Sequence, residues 1–193
     1  MLSILCCGLC GGDDGYKVDE DVIEDAVALS ETARSGKISV SGLHVSGAGQ
    51  IMADQCILQD KSYWEVTVGQ LGAGAFAVGV AAPAHSLGDE VSEDGSGGAS
   101  WVLHSRSLTA PLEDGDVVGV AMDQGDYPVR LLFYLNGVVV RDVRGPVAEA
   151  TPIISLEGPS PGVALTANFG QRPFQHKPKS QGFEGLLRSR SLI

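Results

Sequence analysis

Short apolar runs that alternate with polar residues, separated by glycine and proline at ~8–12-residue intervals, constrain this chain more than anything else in it. Residues 62–68 are the clearest case. Trp64, Val66 and Val68 fall on one side of an extended chain, and Tyr63, Glu65 and Thr67 on the other. Comparable runs occupy 37–41, 50–58, 76–80, 100–103, 117–122, 130–135, 138–140, 152–156 and 163–169. Asn136-Gly137 stands between two of them and predicts a tight hairpin, because both central positions of that turn need positive φ. Gly47-Ala48-Gly49 predicts another turn, and residues 83–99 the longest loop. Glycine fills 26 of 193 positions, about twice its usual ~7% share, as a turn-rich chain requires. Helical spacing is confined to Val18, Val22 and Ala26, and to one C-terminal turn at Phe183, Leu186 and Leu187. The expected fold is all-β, an antiparallel sandwich or barrel with minimal helix, in one domain.

Charge sets the next limits. Thirteen basic residues against 24 acidic ones give −11, a balance that repels phosphate backbones and excludes nucleic acid as the expected partner. The acid concentrates at 13–25, where Asp13, Asp14, Asp19, Glu20, Asp21, Glu24 and Asp25 face a single Lys17. The last stretch reverses sign, with Arg172, Lys177, Lys179, Arg188 and Arg190 against Glu184. Two solvated tails are expected, with a weak pairing of the termini as the alternative. The organisation read from this is a Cys-rich then acidic tail at 1–25, a sandwich at 26–176, and a basic extension at 177–193 packing on or near it.

Three of the four cysteines, Cys6, Cys7 and Cys10, lie in the first ten residues. Clustered thiols cannot staple distant parts of a chain, so a reducing compartment, the cytoplasm, is expected. No stretch reaches the ~20 apolar residues of a membrane helix. Residues 1–9 are too short, and lack the basic flank, for a secretory signal. Leu2 excludes N-myristoylation. S-acylation of Cys6, Cys7 and Cys10, which would give peripheral membrane contact, and an incidental tail both remain open. Cys7 and Cys10 form one C-x-x-C, but a closed zinc site needs a second pair of ligands.

No catalytic constellation emerges. The stretch 72–77 matches G-x-G-x-x-A, but that fingerprint needs a helix to follow, and here period-two alternation follows, so a hairpin turn is expected. His44, His85, His104 and His176 have no metal spacing. Hence no enzyme, cofactor, metal or small-molecule substrate is expected. A ligand-binding lectin-like sandwich would require a deep polar pocket, which the loop compositions do not suggest.

Four segments carry a resemblance: 61–66 (KSYWEV), 77–81 (AVGVA), 115–137 with GDVVGV, Met122-Asp123 and FYLNG, and the closing runs 152–156 and 168–170. Together they resemble the SPRY (B30.2-like) domain family over about residues 27–176. The resemblance implies a bent, concanavalin-like β-sandwich of two antiparallel sheets, and a non-enzymatic module that binds a protein or peptide through loops. By order, those loops hold Ala84, His85, Ser86 and Leu87, then Arg144 and Gly145, then Leu156, Glu157 and Gly158. The chain departs from the family's peptide-binding pattern: no Tyr follows Leu87, and no Trp stands near Glu157. Trp101 is expected in the core, and Arg106 and Tyr127 at the rim.

Overall fold

A computed structural model describes residues 26–96, 99–145, 149–159 and 162–188. Ten strands follow one another: β1 (Leu29–Ser41), β2 (His44–Ala53), β3 (Lys61–Gln70), β4 (Ala75–Ala81), β5 (Ser100–His104), β6 (Val117–Asp123), β7 (Arg130–Leu135), β8 (Val138–Arg144), β9 (Thr151–Glu157) and β10 (Ala164–Asn168). One 3-10 turn, Ser105–Ser107, is the only helical element among the described residues. The strands hydrogen-bond in the order β5-β4-β9-β2-β10-β3-β6-β7-β8, with β1 on the other edge of β2.

The two layers share β2. Its first residues, His44–Ser46, pair with β10, and Gly49–Met52 pair with β9. The chain therefore passes from one sheet to the other inside a single strand. The expected turn at 47–49 is instead this bend, with β1 following alongside. Glycine is required there: Gly47 and Gly49 have φ of +100° and +141°. A Cβ on Gly49 would lie 2.0 Å from the Ser35 carbonyl oxygen.

The inner faces meet as the alternation predicts. Trp64, Val66 and Val68 of β3 join Phe76, Val78 and Val80 of β4, Ile154 and Leu156 of β9, and Phe133 of β7 in one buried cluster, Trp101 included. The outer faces are covered too. The chain between β4 and β5 lays Val91 over Ala77, Ala81, Val102 and Ile153. On the other sheet, Phe183 covers Tyr63, Ala121, Leu132 and Tyr134, with Phe174 packed beside them.

Two further expectations change. The 72–77 segment turns the chain, but it joins strands of opposite sheets rather than a hairpin: β3 pairs with β6 and β10, β4 with β5 and β9. Phe183, Leu186 and Leu187 make no helical turn. That segment is extended, bridging Ser62 through Glu184 and Ala26 through Leu187. The β7–β8 hairpin at Asn136-Gly137 forms with φ of +48° and +79°.

Candidate interaction surface

Strand registers sort the loops onto two ends. Ala81 is opposite Thr151, and Asp123 opposite Arg130, which itself faces Arg144. The loops 54–60, 124–129 and 145–150 and the start of 82–99 therefore share one end. Ala84, Arg144 and Gly145 lie there. Glu157 is opposite Ala75, at the far end of β9, roughly 20 Å away for seven extended residues. The structure thus brings together two of the three loop segments expected to act jointly. Leu156–Gly158 belong to the other end, and the Leu156 side chain is 2% exposed, in the core, so it presents no contact surface.

The segment after Ala84 folds back onto the sheet. His85 is buried, its Nε2 within 3.2 Å of Gln50 Oε1, which also accepts the Gly88 N–H at 2.9 Å. Gln50 Nε2 donates to the Asp89 carbonyl at 2.6 Å. Burial holds the His85 imidazole below its ordinary pKa, against the opposing pull of Asp89. Ala84 and Ser86 stay exposed and Leu87 half-buried. An open groove of about 620 Å³ runs between this segment and the far end, lined among others by Gln50, Glu90, His104, Arg106, Ser155 and Glu157. Two of its charges engage each other within the fold: Arg106 pairs with Glu157 at 2.6 Å.

At the first end the loops are tied to one another. Gln124 Nε2 donates to the carbonyls of Ile57 and Gln59 at 3.1 and 2.9 Å, and its N–H to that of Asp60 at 2.8 Å. The Ile57 N–H reaches the Ala150 carbonyl, and the Gly145 N–H the Val129 carbonyl, each at 2.9 Å. On this bound frame Tyr127 is 96% exposed and Leu58 57% exposed. Arg144 is exposed beside them and makes no salt bridge among the described residues, whereas its neighbour Asp142 takes Arg130 in a two-pronged pair. Leu58 escaped sequence reasoning because it closes an apolar run read as a strand. Val138, Val139 and Val140 of the sheet-edge strand β8 also read as strand core, yet are 66%, 51% and 41% exposed.

Cys6, Cys7 and Cys10 lie outside the described residues. Among the described residues, no group of three or more His, Cys, Asp or Glu is placed to hold a metal. No helix there is long and apolar enough to cross a membrane.

No protein-family model and no curated protein matches the chain. Among solved structures it is similar to a human SPRY domain, at 18% sequence identity and a TM-score of 0.57, over 69% of this chain and 97% of that one. The likeness establishes the fold: an antiparallel β-sandwich of SPRY type.

Proposed function

We propose that this chain is a non-enzymatic SPRY-type interaction module that receives a protein or peptide partner on the loop end bearing Leu58, Tyr127, Ala84, Arg144 and Gly145. The observation that carries this reading is Tyr127, almost fully exposed on loops that are already hydrogen-bonded into one frame. Aromatic and arginine side chains dominate interface energetics, and a preorganised loop loses little entropy on binding. The order of motifs, the Leu5-Cys6-Cys7 start and the late Gly182-Phe183-Glu184 resemble those of SPRY domain-containing protein 7, and we read the chain as its relative. S-acylation of Cys6, Cys7 and Cys10 would hold the module at a cytoplasmic membrane surface.

Affinity capture from cells should return a partner that the Leu58→Ser, Tyr127→Ala, Arg144→Ala variant loses by roughly 30-fold or more, the effect of ~2 kcal/mol at a hot spot, with its melting curve unchanged. Undiminished capture by that folded variant refutes the surface. Replacing Cys6, Cys7 and Cys10 by Ser should abolish a hydroxylamine-labile lipid label and membrane partitioning; unchanged partitioning refutes the tether. A second reading, a structural subunit of a larger assembly, is favoured by the contiguous Val138–Val140 exposure at a sheet edge. It predicts salt-resistant co-purification that Val139→Lys disrupts.

A further inference from the structure

Three loops of the Tyr127 end meet at residues 57–60. The Ile57 N–H on the Ala150 carbonyl brings the Glu149-Ala150 segment beside Leu58. The bonds of Gln124 to the carbonyls of Ile57, Gln59 and Asp60 bring the 124–127 turn there too. Gly125 packs close to Asp60: a Cβ on it would stand 3.8 Å from the Asp60 Cβ. An exposed leucine and an almost bare tyrosine thus share one frame with Asp60, Asp126 and Glu149, all three exposed. The neighbouring charges are answered within the fold. Lys61 pairs with Asp123 at 3.4 Å, Arg188 with Asp54 at 3.0 Å and Arg130 with Asp142 at 2.7 Å, and Asp142 also feels Arg144. Asp60, Asp126 and Glu149 form no ion pair among the described residues.

We infer that the partner segment is basic: an extended peptide that lays an arginine or lysine across the Tyr127 ring beside Asp126 and Asp60, and an apolar side chain on Leu58. This rests on the loop end being the interaction surface, and adds the chemistry of what that surface accepts. The patch itself is apolar, and its unanswered charges select the occupant. A cation over the ring is drawn by the aromatic quadrupole and by the carboxylates beside it. Arginine suits the place better than lysine, because its planar guanidinium stacks on an aromatic face and offers a fork to a carboxylate. The same carboxylates repel a phosphate-bearing ligand, and a second copy docking by this end would set like charges against each other. A small free cation would leave Leu58 uncovered, whereas a peptide covers it with the residue next to its charge. The frame is already hydrogen-bonded, so the chain orders little on binding.

Panning the full chain against a phage-displayed library of random dodecapeptides tests this, with each selected peptide then measured in solution by fluorescence anisotropy. The selected sequences should carry more Lys and Arg than Asp and Glu, with an apolar residue close to a basic one. Their affinity should fall roughly tenfold or more in Tyr127→Ala, in Asp60→Lys with Asp126→Lys, and between about 0.05 and about 0.5 M salt, as close charge pairs at an interface require. The melting curves of these variants should match the parent's. Neutral or acidic peptides that lose binding with Tyr127→Ala overturn the basic partner and leave the loop-end surface standing. So do basic peptides that need Tyr127 but ignore the reversal of Asp60 and Asp126. Peptides of any charge indifferent to both Tyr127→Ala and Leu58→Ser overturn the surface and the partner together. A library that yields no binder overturns the basic peptide as well.

Discussion

Glu65 is 1% exposed, a carboxylate in the middle of a sheet. Its oxygens are satisfied there: Oε2 accepts the Gln175 N–H at 2.8 Å, Oε1 the His176 N–H at 2.7 Å, and the Tyr63 hydroxyl stands 3.1 Å from Oε1. Burial, and then that carboxylate, push the Tyr63 phenol far above its ordinary pKa, so it stays a donor. Replacing Glu65 by Ala strands two backbone donors and should cost about 3 kcal/mol, read as a lower urea midpoint. Exchange at Gln175 and His176 should accelerate with it. Two other groups contribute to the acid response. His85 is buried neutral with its pKa below 6.5, so it favours the fold above that value, and the benefit declines as pH falls below it. Burial raises Glu93, but bonds from Ser107, Arg141 and the His104 N–H outweigh it and leave the carboxyl below 4.5. Its contribution is complete above that pH and is lost as pH drops through the lower folded value. The denaturant midpoint should therefore begin to fall between pH 7 and 5.5 and fall again below 4.5. His85→Gln should flatten only the first step.

Among the elements, β2 decides the architecture. Gly49→Ala would force a Cβ against the Ser35 carbonyl at positive φ, and a loss of about 3 kcal/mol or more is expected from thermal unfolding. This element also marks the reach of sequence reasoning. Asn136-Gly137 was legible because its turn is local: two positive-φ residues between two apolar runs. Gly47-Ala48-Gly49 looks the same whether a strand ends or bends, and only its pairing with the distant β9 and β10 separates the two cases. The faces of β3 were legible, but not that both would be buried, since alternation says nothing about what lies over the second face. For the candidate surface, chain order pointed to Ala84, Arg144 and Gly145. Exposure, which depends on neighbours far along the chain, added Leu58, buried His85 and Leu156, and left the Val138–Val140 edge bare. Val139→Lys should change thermal stability by no more than ~0.5 kcal/mol, as a surface site does; a larger loss in the melting curve would mean this edge is packed.

At the scale of the molecule, two sheets are joined through one bent strand and sealed on their outer faces by the 82–99 segment and by 169–188. Glu93 fastens the first seal to both open edges, accepting the His104 N–H of β5 at 3.0 Å and pairing with Arg141 of β8 at 2.5 Å. Gln59 fastens the second, donating to the Gly185 carbonyl at 2.7 Å and accepting the Leu187 N–H at 3.0 Å. Gln59 is the residue after Leu58. The meeting point of Ala26 and Leu187 therefore lies at the same pole as the loop tips. A partner received on those tips would therefore meet the chain where it enters and leaves the sandwich.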